Sequence, residues 1–324
     1  MDAAQRSPSG LTSVDPPEAT TLSETPVFFA AGDDQLLGVL TEPTTAPLHV
    51  GLIGAAGGLR ATSMGRNRMQ VRLSRQAAAH GFHAFRFDYH GVGDSGGTIA
   101  GFSLEEPFGR DLDAAARWLE EQGIDRHVYA GVCFGARTVM SLAPTREGVA
   151  GVALVELPIR DKLRHGRELT RHSTGRMLRA AMRPWVLAGL FKKEQRAYYW
   201  KFLKAKLRAA WKREEAAEAT DLSWVSQPAL DDLERLVERR IPVLLIYGEE
   251  GESYREVLRA RAGRLGELMR AAGSRLEIAA LPGQIHSFSD LPSQQRVIDR
   301  IEDWSAGLFA PAGSTDRKGG EDHP

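Results

Sequence analysis

The chain has 324 residues, 42% of them hydrophobic and 26% charged, which supports a soluble globular protein with one large α/β domain or two smaller ones. Its single cysteine excludes an internal disulfide and any multi-cysteine metal site, and it fits a thiol kept reduced in a cytoplasmic setting. The opening residues lack an apolar signal-like core and no uncharged apolar run approaches about 18 residues, so neither export nor a membrane span is expected.

In chain order, residues 1–25 are rich in Ser, Thr, Pro and acid and read as a disordered tail, as do 311–324. Between them, apolar strand-like runs alternate with helix-like segments, the rhythm of a mostly parallel, doubly wound sheet with crossover helices. A hairpin is expected over 27–40, a buried strand over 48–54, a helix over 64–80 and a strand over 83–88. A helix over 104–122, a strand over 127–132 and a helix over 134–142 follow, then a strand over 149–156. The far end gives a strand over 241–247, a helix over 254–272, a strand over 275–281 and a closing helix over 294–308. The interval 158–237 is far too long for one crossover and helix-like throughout; it reads as an inserted helical lid that divides the core into 26–157 and 238–310.

The lone Cys133 sits in Gly131-Val-Cys-Phe-Gly135, between a strand-like and a helix-like run. A nucleophile elbow needs this pattern, because the turn is sharp and bulky residues two before or two after the nucleophile would collide with neighbouring strands. The N-terminus of the following helix is expected to lower the thiol pKa. A base is offered by His286, in Gly-Gln-Ile-His-Ser-Phe at 283–288, after the last strand and before the closing helix. His49, His80, His83, His90 and His127 flank strands at less suitable points.

Over 26–310, lid aside, this arrangement resembles the α/β-hydrolase superfamily. Phe87-Asp-Tyr-His-Gly-Val-Gly-Asp-Ser-Gly-Gly97 looks like that family's turn after the fourth strand, where Asp88, Gly91, Gly93 and Ser95 shape the turn and do no chemistry. Leu52-Ile-Gly-Ala-Ala-Gly-Gly58 is similar to its oxyanion loop, although Ala56 and Gly57 stand where His-Gly is common; backbone amides suffice for an oxyanion. Cysteine in place of serine at the elbow is the minority form, known from dienelactone hydrolases, polyhydroxyalkanoate synthases and cysteine-dependent aminoacyl shuttles. The family's aspartate position corresponds to Gly251, so the resemblance leaves three candidate acids, Glu250, Glu252 and Glu156.

The resemblance implies acyl transfer. Cys133 attacks an ester or thioester carbonyl, His286 handles the proton, and the Phe134 amide with the Ala56–Gly57 loop holds the oxyanion. No cofactor and no metal is implied. A dinucleotide-binding reading of 51–57 is set aside, because no Asp or Glu occurs from Pro43 to Phe87 to meet a ribose hydroxyl. Residues 158–220 carry 17 Lys and Arg against 6 Asp and Glu, a formal +11 that the rest of the chain cancels. Such a segment is either the solvated face of an amphipathic lid or a surface for an anionic partner: an acidic carrier protein bearing a phosphopantetheine thioester, coenzyme A, or an anionic membrane surface. Nucleic acid is not expected, since no motif for it accompanies the charge. Arg60, Arg66, Arg68, Arg72 and Arg75 add further positive charge early in the chain. Other readings that the residues allow are a carboxylic-ester or peptidase-like hydrolase, and a noncatalytic binding protein with Gly251 in place of the acid.

Overall fold

The first element pair is a hairpin, β1 (Glu24–Ala31) with β2 (Asp34–Thr41), paired antiparallel with Phe29 opposite Leu36. This computed structural model describes residues 22–57, 61–99, 101, 103–104, 107–160, 222–286 and 288–309. From β3 (Gly51–Ala55) onward the chain alternates strand and helix: α1 (Met69–Ala79), β4 (His83–Phe87), α2 (Gly109–Glu121), β5 (His127–Val132), α3 (Phe134–Leu142) and β6 (Val149–Val155). The second half supplies α4 (Gln227–Glu238), β7 (Val243–Gly248), α5 (Glu252–Ala260), α6 (Arg264–Ala272), β8 (Leu276–Leu281) and α7 (Leu291–Phe309).

The eight strands form one sheet in the order β1-β2-β4-β3-β5-β6-β7-β8, antiparallel at β1, β2 and β4 and parallel from β4 through β3 to β8. A parallel sheet of this kind is buried on both faces, and period-two alternation sorts its residues between two cores. Tyr129, Leu245 and Tyr247 face a core completed by α2, α3, α4, α5 and α6. Val128, Ala130, Leu244 and Ile246 face the other, completed by Met69 and Leu73 of α1 and by Val297, Ile298 and Ile301 of α7.

Helix boundaries differ from the expected ones at α1, at α2, between α5 and α6, and at α7, which starts at Leu291. α1 starts at Met69 and not near 64, because Gly65, Asn67 and Arg68 all have positive φ (66°, 50° and 63°). The left-handed Asn67 is held by tertiary contact, its Nδ2 donating to the Phe288 carbonyl at 2.7 Å. α2 starts after Pro107, which disfavours helix in the residue before it. The helix expected over 254–272 is two helices: Gly263 breaks it, where any side chain would meet Leu222 at 2.5 Å.

Of the interval expected as a lid, 161–221 lies outside the described residues. The described remainder begins with Arg160 bridged to Val225 and ends in α4, which is capped by Ser226 Oγ accepting from the Ala229 amide at 3.3 Å and buries Leu230, Leu233 and Leu236 in the first core. Among the described residues, no helix is long and apolar enough to cross a membrane.

Candidate active site

Cys133 follows β5 directly and has φ 49° and ψ −109°, a conformation costly for any residue with a side chain. The surroundings enforce it. The Cys133 amide donates to Val155 O of β6 at 2.8 Å, while its carbonyl accepts from Arg137 of α3 at 3.2 Å. Gly131 and Gly135 permit the turn by their bareness: a Cβ on Gly131 would lie 2.5 Å from Gly135 O, and one on Gly135 would lie 2.2 Å from Ala55 O. Arg137 is 2% exposed, and its Nε and one terminal nitrogen donate to the Leu104 carbonyl at 3.2 and 3.1 Å, tying the helix behind the elbow to the loop before α2.

Glu156 repeats the device one strand over. It follows β6, has φ 50°, and its amide donates to Ile246 O of β7 at 2.8 Å. Its carboxylate is buried, with Oε1 accepting from the Gly248 amide at 2.9 Å and Oε2 lying 3.6 Å from His286 Nδ1. Among the described residues, Glu156 is the carboxylate within ion-pair reach of that ring. Glu250 is exposed, and Glu252 opens α5. Gly251 packs against the same group: a Cβ there would lie 3.5 Å from Glu156 Oε1 and 2.9 Å from Gly248 O.

Cys133 and His286 line the same cavity, of about 440 Å³, together with Ala56, Gly57, Val132 and Phe288. Gly57 crowds the elbow, where a Cβ would come within 2.7 Å of Val132 O and 3.4 Å of Cys133 Cβ. The loop after β3 thus runs alongside the sulfur, with the Ala56 and Gly57 backbone on one side and the Phe134 amide on the other. Gly58 and Arg60 lie outside the described residues. The opposite wall comes from Thr62, Gly65, Arg66, Met69 and Gln70. Arg66 was apparent in the sequence as part of a basic run; Met69 and Gln70 were not singled out, though their spacing from it on a helix start is the available signal.

The thiol corrects an expectation. Burial holds the Cys133 thiol above its ordinary value; the Phe134 amide, which hydrogen-bonds the sulfur, pulls the other way, and the negative charge of Glu156 adds to the rise. Desolvation and a nearby carboxylate together outweigh the helix N-terminus. Raised in this way, the thiol gives up its proton less readily than an ordinary cysteine, and a neighbouring base would assist it.

Four of the other described histidines are engaged elsewhere, and His49 lies beside the His83 ring, 6.5 Å away. His90 Nδ1 lies 2.6 Å from Asp111, His83 Nδ1 3.0 Å from Glu42 and His80 Nδ1 3.5 Å from Glu302, while His127 is buried with Nε2 2.9 Å from Ile124 O. Asp88 and Ser95 shape the turn after β4. Asp88 accepts from the Ser63 amide, Ser95 Oγ donates to Asp88 O at 2.8 Å, and the Leu37 amide donates to Ser95 Oγ at 2.9 Å. Among the described residues, no three His, Cys, Asp or Glu side chains gather as metal ligands.

No protein-family model matches the chain, and no curated protein matches it in sequence. Solved structures do match. A carboxyl esterase from Bacillus coagulans superposes with a TM-score of 0.56 at 15% identity, over 90% of this chain and 100% of that one. The fold is that of the α/β-hydrolases. An esterase from Pyrococcus furiosus (TM-score 0.54, 15% identity, 91% of this chain and 99% of that one) and a proline iminopeptidase from Mycobacterium smegmatis (0.52, 16%, 88% and 98%) agree. At such identities the α/β-hydrolase likeness is one of fold, and reactivity has to be argued from the site.

Proposed function

We propose that the protein is an acyl-transferring enzyme of the α/β-hydrolase fold, with Cys133 as nucleophile, His286 as base and Glu156 as the acid that orients the imidazole. One observation carries this reading: a strained cysteine shares a cavity with a histidine whose Nδ1 faces a buried carboxylate. Strain of this kind persists where function requires it.

The steps follow from the placement. The Cys133 thiol passes its proton to His286 as sulfur attacks an ester or thioester carbonyl, and the oxyanion is held by the Phe134 amide with the Ala56–Gly57 loop. Collapse breaks the bond to the leaving group, which takes the proton from His286, and the acyl group is left as a thioester on Cys133. A second nucleophile then attacks that thioester, and the thiol is restored. Sulfur as acceptor favours thioester donors, because thiol–thioester exchange is nearly isoenergetic. The +11 charge of 158–220 suits a donor carried on coenzyme A or on an acidic carrier protein. A reducing cytoplasm suits the lone thiol. Hydrolysis is the second reading, favoured by the His286 ring, which is 57% exposed and open to water as acceptor.

The test is intact-mass trapping with a panel of acyl thioesters and esters. The native protein is expected to gain one acyl mass on Cys133 and Cys133→Ala none. A Cys133 unlabelled across the panel counts against the enzyme and in favour of a binding protein. Product analysis with and without added amine, alcohol or thiol separates transfer from hydrolysis.

A further inference from the structure

We infer that Arg66 and Gln70 form a subsite for an anionic group on the acyl donor, either a carboxylate on the acyl chain or a phosphate on the leaving group. The inference deepens the reading of Cys133 as acyl acceptor and rests on it. Both residues line the cavity that holds Cys133 and His286. What they share is side-chain hydrogen-bonding capacity that no described residue takes up.

The Arg66 side chain makes no ion pair or hydrogen bond with any described residue. Arg68 is likewise unpaired among them but does not line the cavity, whereas Arg72 reaches Gln294 Oε1 at 2.9 Å and Gln295 Oε1 at 2.5 Å, and Arg75 pairs with Glu24 at 2.6 Å. No acid lies between Pro43 and Phe87, and none stands in the first turn of α1, so nothing local neutralises the guanidinium. Gln70 is 2% exposed. Its Oε1 is pressed against Gly54 of β3 without a hydrogen-bond partner, and its Nε2 donates to no described residue. Gln70 Oε1 is an acceptor and gains nothing from an anion; the N–H groups without a described partner are those of the Arg66 guanidinium and of Gln70 Nε2, donors that a carboxylate or phosphate can take up.

Position supports the assignment. Asn67 Nδ2 donates to Phe288 O at 2.7 Å, and Gln294 Nε2 donates to the same oxygen at 2.9 Å. Phe288 lies two residues beyond His286, so the segment that carries Arg66 is fastened to the loop that carries the base. None of the residues lining the cavity is a carboxylate, and buried Glu156 lies by His286 and the Gly248 amide. Arg66 is exposed while lining the cavity, so an ion pair it makes there is sensitive to salt.

The experiment compares three donors: the butyryl thioester of N-acetylcysteamine, the succinyl thioester of the same thiol, and butyryl-phosphopantetheine. In the native protein, kcat/KM for the succinyl or the phosphopantetheine donor is expected to exceed that for the neutral donor by about 10-fold or more; which of the two gains tells carboxylate from phosphate. The ratio collapses toward one in Arg66→Ala, is partly restored in Arg66→Lys, and is kept in Arg72→Ala, whose guanidinium is bound to α7. An unchanged ratio in Arg66→Ala overturns the subsite while leaving Cys133 chemistry intact. If the native protein turns over no donor, the Cys133 reading fails, and calorimetry decides the subsite alone. Succinyl-N-acetylcysteamine binding to Cys133→Ala but not to Cys133→Ala/Arg66→Ala supports it; equal binding, or binding to neither, overturns it.

Discussion

At the scale of single residues, the site turns on which carboxylate faces His286. Glu156→Gln keeps the acceptor for the Gly248 amide but removes the charge behind the imidazole, and kcat/KM is expected to fall by about 100-fold, less than the ~10⁴-fold seen where a Ser-His pair loses its acid. Glu250→Gln and Glu252→Gln are expected to leave turnover near native; a large loss in either one, with Glu156→Gln active, reassigns the acid. The thiol gives a second prediction. Because burial holds it above its ordinary value, alkylation of Cys133 by iodoacetamide should rise with pH to a midpoint above about 8.5. A plateau reached below pH 7 would mean that a thiolate–imidazolium pair is the resting form. The sequence brought Cys133, His286 and Glu156 forward as candidates but left three acids open. What favours Glu156 in the proposal is a tertiary proximity, its Oε2 lying 3.6 Å from His286 Nδ1, which no spacing along the chain encodes.

At the scale of elements, α1 and α7 lie side by side on the second face of the sheet and share a buried polar cluster. Gln76 Nε2 donates to Glu302 Oε2 at 2.5 Å, with the His80 ring at 3.5 Å. Burial pushes the Glu302 carboxyl up from 4.5 to about 6, against the Gln76 hydrogen bond and the His80 charge. The folded state therefore binds more protons than the unfolded state between those two values, so stability is greatest below 4.5 and is lost as pH rises through 6. Glu302→Gln is expected to be more stable than the native protein by about 1 kcal/mol at pH 7, with the gap closing toward pH 4.5. Urea melts across that range check it, and a gap that widens on acidification refutes it. Element types were legible from periodicity, since the alternating strands and amphipathic helices bury what they were expected to bury. Element ends were less so. The start of α1 is decided by Asn67 reaching across to Phe288, and the break between α5 and α6 by Leu222 against Gly263, contacts between residues far apart in sequence.

At the scale of the whole molecule, charge and fold are partitioned differently. The described core closes around the site without 161–221: Arg160 bridges to Val225, the Ser226 amide donates to Ile159 O at 2.8 Å, and Arg160 both pairs with buried Glu256 and stacks over Trp224 at 4.6 Å. The two ends of that segment are thus fastened together by the core, and joining them with a short Gly-Ser linker imposes little closure entropy on the rest. The segment carries 16 Lys and Arg against 7 Asp and Glu, so its removal takes a net +9 away and leaves a chain of net −9. Two outcomes are expected of the excised protein. It unfolds in one cooperative transition, because the described residues of both cores all remain. The dependence of Cys133 acylation by butyryl-phosphopantetheine on salt also changes. In the native protein the rate falls by about three-fold or more between low and high ionic strength, as for an attracted anion, and in the excised protein it stays flat or rises, as for a repelled one. The same salt slope in both proteins removes the segment from donor recruitment and leaves Arg66 as the cation that meets the substrate.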